Sequence, residues 1–450
     1  MPIAADPTLT EPVLPAPPER VGAIDRDTQA GRAAIETASV LEAELRARIS
    51  GEVRFDRTAR MLYSTDASNY QIEPVGVVIP KSTDDVVGAI ELAASHGVPV
   101  LPRGGGSSLA GQTVGAALVI DFSKYLSRVL DLDLEARQVT VEPGASLDLL
   151  NRELKANGLM FGPDPSSSNR ATVGGVIGNN STGSHSILYG MTGDNVVKTR
   201  VGLIDGGVFD LGPGSAADLD ALARADDPRG RLLRRLLDFR ERHEGTIARD
   251  VPPHWRRSTG YSMDAFLKPD GQFNPAQLIV SSEGTLATVF SATLKLVPTP
   301  TKTALVLLQF DELVAAMAAT PVILETEPSA VELMDRMLIT LTRAQPYYAR
   351  QLAFVEGDPA GVLCVEFYGE SDRELEQRCE RLVEHLRGAG VRLSAEPQVI
   401  LDPARQVDVW SVRKAGLGLL YSIKGDHKPI PVIEDVSVPV EHLAEYVGAV

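Results

Sequence analysis

The stretch "PRGGGSSLAGQTVG", Pro102 to Gly115, decides how this chain is to be read. Three consecutive glycines behind an arginine make a loop whose backbone amides can approach an anion, a phosphate above all. A dinucleotide fingerprint of the G-x-G-x-x-G type needs its last glycine to open a helix. Gly104 and Gly106 have that spacing, but Leu109 occupies the final position, and "AALVIDF" after Gly115 reads as a strand. The Gly-Lys-Ser/Thr of a Walker loop is absent. What remains is a nest of amides without a helix dipole, which weighs against nicotinamide and simple nucleoside-triphosphate binding.

The rest of the chain narrows the choice. At 450 residues, 44% of them hydrophobic, it is long enough for two or three domains with well-formed cores. A net charge of −16 works against nucleic acid and anionic membranes, so any anion must meet a local basic site. Cys364 and Cys379 form no CxxC or Cys/His pattern, which argues against a structural zinc or an iron–sulfur cluster on them and fits a reducing compartment. The opening "MPIAADPTLTEPVLPAPPER" has neither a basic n-region nor an apolar run, so it is read as a disordered tail and the chain as cytoplasmic.

From Val75 onward strand and helix patterns alternate. "VGVVIP", "VPVLPRG" and "AALVIDF" are strand-like, and "STDDVVGAIELAASHG" and "SLDLLNRELKANG" are capped amphipathic helices. "VLDLDLEARQVTVEPG" and "VVKTRVGLIDGGVFDLG" alternate as hairpins. "RGRLLRRLLDFRERHEG" is a basic helix with a solvated face. "QLIVSSEGTLATVFSATLKLVP" is expected to form two strands about an "EGTLA" turn. Phe161 to Asp194, rich in Gly, Ser, Thr and Asn, shows little periodicity, yet "ATVGGVIGNN" embeds small apolar residues. A long irregular stretch between proper strands is expected to wrap a ligand.

"VPTPTKT" punctuates the chain at Val297 to Thr303. Residues 1–45 are expected to be tail and leading helix, 46–300 one domain and 301–450 a second. In the second, "ALVLLQF", "AVELMD", "VLCVEFYG" and "VRLSAEP" are expected as strands of an antiparallel sheet among helices such as "DRELEQRCERLVEHLRGAG". The terminal "EHLAEYVGAV" is an uncapped helix, so this domain is expected to be incomplete.

"PRGGGSSLAGQTV", "GPDPSSSNRATVGGVIGNNSTGSHSILYGMTGDNV" and "SSEGTLA", in that order, resemble the FAD-binding signatures of the vanillyl-alcohol-oxidase/PCMH superfamily. From about residue 50 to its end the chain is most similar to the D-lactate dehydrogenase, glycolate oxidase and D-2-hydroxyglutarate dehydrogenase branch. "DHKPIPVIEDVSVPVEHL" resembles the long bacterial members in which an iron–sulfur domain follows the flavin half. The resemblance implies an α+β fold, with a PCMH-type FAD-binding domain of two α/β subdomains and an α+β cap domain. It implies FAD-dependent oxidation of a D-2-hydroxy acid, with electrons leaving to a protein, a quinone or an iron–sulfur domain. By the same resemblance Arg103, Gly104, Gly105, Gly106, Ser107 and Ser108 wrap the pyrophosphate. Pro163, Ser168, Ala171, Thr172, Gly174 and Gly175 contact the flavin and its linking chain. Asn179, Ser181, Gly183 and Ser184 continue that shell, and Glu283, Gly284, Thr285 and Leu286 complete it. Covalent relatives place a His in or near the glycine loop; Pro102 to Gly115 has neither His nor Cys, so FAD is expected to be non-covalent.

"VWSVRKAGLGLLYSI" resembles the family's Trp-x-x-Arg motif and makes Arg413 the clamp for the substrate carboxylate, which a guanidinium fork suits better than an ammonium. "RRSTGYSM" matches a family segment near the flavin ring and adds Thr259 and Tyr261. The H-A-G-x-G-N-L-H type segment that holds a divalent metal in the family is absent and is expected beyond Val450, as is any iron–sulfur cluster. His427 in "GDHKPIP" reads as a loop residue, and no metal ligand is assigned. Two other readings stay open: a flavin-binding subunit that needs a second chain, and an alkyl-transfer synthase of the same fold. Assembly into a homo-oligomer is also open.

Overall fold

The computed structural model describes residues 29–257, 260–265, 273–425 and 435–450. Helix α1 (Gln29–Arg48) buries Leu41 and Leu45 completely in a core shared with α3 (Thr83–Ser95). Between them lie strand β1 (Glu52–Arg54), helix α2 (Arg57–Leu62) and strand β2 (Gly76–Ile79). With β3 (Val100–Arg103) and β4 (Leu118–Asp121) these strands form a sheet in the order β1-β2-β4-β3. The pairs β2/β4 and β3/β4 are parallel, and β1 is antiparallel to β2. All four positions of β2 and of β4 are buried, which explains their unbroken apolar runs. The glycine loop leaves the carboxyl end of β3, the edge of a parallel sheet where ligands gather.

A second, antiparallel sheet runs β5-β6-β10-β8-β9, from β5 (Val129–Asp133), β6 (Gln138–Val141), β8 (Val196–Gly202), β9 (Val208–Leu211) and β10 (Thr288–Lys295). Against it lie α4 (Leu147–Leu154) and α5 (Val173–Asn179), with Leu147, Leu150, Val173 and Ile177 buried among Val139, Val141 and Leu294. The short β7 (Leu159–Met160) pairs with β11 (Val297–Pro298), so the exit to the last sheet is tied back. Helix α6 (Ser186–Tyr189) follows α5, and α7 (Ala216–Arg224), the basic α8 (Pro228–Asp250) and α9 (Ala276–Ile279) lie between β9 and β10. Arg242 and Arg240 of α8 pair with Asp238 and Glu244 one turn away, as a solvated face requires.

The third sheet, β13-β14-β12-β15, is antiparallel throughout: β12 (Lys302–Phe310), β13 (Ala330–Asp335), β14 (Gly361–Gly369) and β15 (Gln398–Ile400). Strand alternation divides its two faces. Leu363, Val365 and Phe367 pack on α10 (Leu313–Leu324) and α13 (Asp372–Gly388), and α15 (Leu443–Ala449) adds Leu443 and Val447 to that core. Val362 and Cys364 face α11 (Arg336–Arg343), α12 (Pro346–Gln351) and α14 (Pro403–Tyr421). Both cysteines are free and buried. No helix among the described residues is long and apolar enough to cross a membrane.

Three expectations fail locally. "QLIVSS" forms the turn of helix α9, because the Asn274 side chain accepts the Ala276 N–H at 3.1 Å and starts a helix where an apolar run alone is ambiguous. "VRLSAEP" stays outside the ladder, with Ser394 N–H bonded to the Gln309 carbonyl, and the strand begins after Pro397, at Gln398. Within Phe161 to Asp194, "VGGVIGN" is helical despite its glycines. Capping by Thr172 and burial of Val173, Val176 and Ile177 outweigh propensity.

One buried carboxylate secures the first layer. Asp85, 5% exposed, accepts the backbone N–H groups of Ser50 at 2.7 Å and Lys81 at 2.8 Å, joining α3 to the chain ahead of β1. Asp85→Ala strands both donors and should lower stability by about 2–3 kcal/mol, read as an earlier urea midpoint by circular dichroism.

Candidate functional site

Three segments enclose one cleft, beginning with the glycine loop. A Cβ on Gly104 would sit 2.1 Å from the Thr172 hydroxyl, and one on Gly105 would sit 2.2 Å from the Arg170 carbonyl oxygen. No side chain fits there, so the loop backbone lies directly on the segment before α5. Gly106, at φ +62°, adopts a conformation that favours glycine. The Arg103 guanidinium donates to the Thr113 and Thr65 carbonyls, both at 2.8 Å, and to the Tyr63 carbonyl at 3.3 Å. The arginine thus braces the loop through three carbonyls.

Thr172 starts α5 as its N-cap, and its hydroxyl accepts the Gly175 N–H at 3.4 Å. A Cβ on Gly174 would meet Pro143 at 2.8 Å, so this helix also approaches its neighbour without side chains. The "SSEGTLA" turn closes the cleft. Its Ser281 and Glu283 N–H groups donate to the Ile177 and Gly178 carbonyls, both at 3.0 Å. Ser281 (φ 64°), Glu283 (φ 49°) and Gly284 (φ 74°) are all left-handed, a local strain that the straps to α5 maintain. Asn179 donates to the Glu283 carboxylate at 3.2 Å and accepts the Ser181 hydroxyl at 2.7 Å. Burial pushes the Glu283 carboxyl above the usual range, partly offset by hydrogen bonds from Asn179 and Gln112. The Tyr261 and Thr285 hydroxyls are bonded at 2.8 Å.

The cleft is partly open to solvent. Arg103, Gly104, Ser108, Thr172, Gly174, Gly175, Glu283 and Gly284 line it, all of them expected from sequence. Pro102, Gln112, Pro143 and Gly178 line it too and were missed, since nothing in their types marks them. The Ser168 and Ala171 carbonyls instead accept the Asp148 and Leu147 N–H groups, both at 3.1 Å, and so hold the start of α4. Thr259 and His427 lie outside the described residues.

The third sheet brings a second group of residues together. On α14, Arg413 donates from Nε at 2.8 Å and Nη2 at 2.6 Å to one oxygen of Glu332 on β13. This pairing takes the Nε/Nη2 edge of the guanidinium that the sequence assigned to a substrate carboxylate. His185, at the start of α6, was missed altogether. Its Nδ1 lies 2.7 Å from Asp164 and its Nε2 lies 2.5 Å from Glu366 on β14. The ring stacks on Tyr368 at 5.4 Å, with Trp410 of α14 at 6.1 Å. Burial disfavours a charged ring there, but the bonds to Asp164 and Glu366 outweigh it and push the His185 pKa up to about 10. Among the described residues no group of His, Cys, Asp or Glu is arranged to hold a metal ion. As the sole histidine in the long irregular segment, His185 was the signal available in sequence.

Residues 74–212 match the FAD binding domain family, and residues 299–450 match the C-terminal domain of FAD linked oxidases. The chain is 34% identical over 415 residues to a D-2-hydroxyglutarate dehydrogenase of Pantoea ananatis, covering 88% of this chain and 40% of that protein. It is 32% identical to one of Escherichia coli, covering 89% and 40%. It is 28% identical to the glycolate oxidase subunit GlcD of Bacillus subtilis, covering 89% and 73%. The chain therefore spans about two fifths of the length of the dehydrogenases it matches. Among solved structures, an alkyldihydroxyacetonephosphate synthase superposes with a TM-score of 0.60 at 18% identity, over 85% of this chain and 68% of that one, a likeness of fold alone.

The side-chain-free cradle of Gly104 and Gly105 fits the pyrophosphate of FAD. Gly105→Ala should force the loop off Arg170 and yield protein with little bound flavin, seen as loss of visible absorbance after purification. Gly245→Ala, with nothing within 4 Å of its Cβ, should keep full flavin content.

Proposed function

Because the chain belongs to the FAD-linked oxidase superfamily with a PCMH-type FAD-binding domain, we propose that it oxidises a D-2-hydroxy acid of the D-2-hydroxyglutarate or D-lactate type to the 2-oxo acid. The observation that carries this reading is similarity to D-2-hydroxyglutarate dehydrogenases over nearly nine tenths of the chain. FAD bound in the cleft would supply the two-electron acceptor for the hydride at C2 of the acid. The loop amides at Gly104 to Ser108 hold its phosphates. Glu283, Asn179 and Ser181 form a linked polar edge beside it. The bond is non-covalent: the glycine loop offers no His or Cys, and both ring nitrogens of His185 are engaged by carboxylates.

Arg413 supplies the cation for the substrate carboxylate. Glu332 holds its Nε/Nη2 edge, which orients the guanidinium and leaves the Nη1 side for a second carboxylate. Tyr261, with Thr285 behind its hydroxyl, is a further substrate-side group, and Thr259 stays with it as a candidate. Electrons then pass to an acceptor other than NAD, either a protein, a quinone or an iron–sulfur domain. We place the reaction in the cytoplasm.

Anaerobic addition of D-2-hydroxyglutarate, D-lactate or glycolate should bleach the visible flavin absorbance. Failure of every 2-hydroxy acid to do so would overturn the reading and favour the alkyl-transfer alternative. Arg413→Ala should weaken acid binding about ten- to a hundredfold, from a charge-assisted contact of roughly 1.5–3 kcal/mol. Arg413→Lys should recover part of this, and flavin content should stay at the wild-type level in both.

A further inference from the structure

The His185 cluster joins parts of the chain that are far apart in sequence. Asp164 and His185 belong to the segment that builds the cleft, whereas Glu366 lies on β14 of the third sheet. A neutral imidazole carries one N–H, so it cannot donate to two carboxylates at once. Contacts of 2.7 and 2.5 Å at the two ring nitrogens suit the imidazolium, which donates to both carboxylates. Its surroundings are built to hold it. Asp164 also accepts the His185 backbone N–H at 3.1 Å, and a Cβ on Gly183 would strike the Asp164 backbone at 2.3 Å. Glu366, 4% exposed, accepts the Ser329 hydroxyl at 2.9 Å as well.

The same sheet face carries Arg413's partner. Cys364 and Glu366 are two residues apart on β14 and share a face, and Glu332 of β13 stands opposite Cys364. Trp410, beside the His185 ring, lies one helical turn before Arg413 on α14. A shift of Glu366 against the cleft segment would therefore move the Glu332–Arg413 pair with it.

We propose that His185, as an imidazolium bridging Asp164 and Glu366, is a positioning residue that registers the third sheet on the FAD cleft and so sets where Arg413 stands. The part concerning Arg413 rests on its proposed role as carboxylate clamp. Because folding raises the ring's pKa from 6.5, the bridge is at full strength below about 6.5 and is lost as pH rises through about 10. The titratable groups facing it are Asp164, Glu366, Tyr368 and, through Tyr368, Tyr189.

The test uses the full chain loaded with FAD. His185→Gln leaves the buried Glu366 and the half-buried Asp164 facing each other without a cation. Flavin content should be retained, while KM for the 2-hydroxy acid at about pH 8 rises at least about tenfold, with a smaller change in kcat. The double variant His185→Gln/Glu366→Gln, which removes the unpaired charge on the sheet, should recover most of that loss. A second readout needs no substrate. With Trp255→Phe, the emission of Trp410 reports the neighbouring ring, because an imidazolium quenches indole. That emission should show no step between about pH 5.5 and 8.5 and should rise in His185→Gln. A step near the ordinary histidine pKa that His185→Gln abolishes would overturn the proposal, as would a His185→Gln variant with wild-type KM and emission. If no 2-hydroxy acid bleaches the wild-type flavin, the functional reading fails by itself, and the emission data still decide on the bridge.

Discussion

Close approach of the loop backbone at Gly104 and Gly105, to the Thr172 hydroxyl and the Arg170 carbonyl, is the constraint on which the cleft depends. The loop lies so close to Arg170 and Thr172 that even a methyl group would collide. That contact brings the carboxyl end of the parallel sheet to the start of α5. The far end of α5 is in turn strapped to the "SSEGTLA" turn through the Ile177 and Gly178 carbonyls. The three walls are thus linked in series by main-chain contacts, and the left-handed Ser281 and Glu283 are held in place by the same links. Arg103, which also lines the cleft, ties the loop to the Thr113 and Thr65 carbonyls.

Charge is handled differently on the side of the third sheet. Two cations there are paired with carboxylates: Arg413 with Glu332, and His185 with Asp164 and Glu366. Pairing offsets the cost of burial, and removal of one member leaves an uncompensated charge. The net charge of −16 makes such local pairing necessary wherever an anionic substrate is to be received. An arginine held on one edge by Glu332 keeps its orientation without losing the capacity to bind a second carboxylate.

Glycine and turn chemistry made much of the cleft legible in advance, because a glycine needed for close approach has no substitute of similar shape. Gly104 was found this way, and Thr172, Gly174, Glu283 and Gly284 followed from the resemblance. The hairpins and the buried parallel strands were legible from alternation and from unbroken apolar runs. Less legible were "QLIVSS" and "VRLSAEP", where a side-chain cap and a missing ladder partner overrode the local pattern.

The sequence by itself determined the two kinds of sheet, the segments that line the cleft and the absence of side chains at its tightest points. These follow from periodicity and from backbone freedom, which are local properties of the chain. Tertiary structure decided which charges meet. Strands β8, β9 and β10 lie between Asp164 and Glu366 in the chain, and Glu332 is 81 residues from Arg413. Their pairing depends on how β13 and β14 are set beside the cleft segment, and no spacing in the sequence encodes that distance. The protonation of His185 belongs to the same category, because it arises from two carboxylates that only the folded chain brings to one ring.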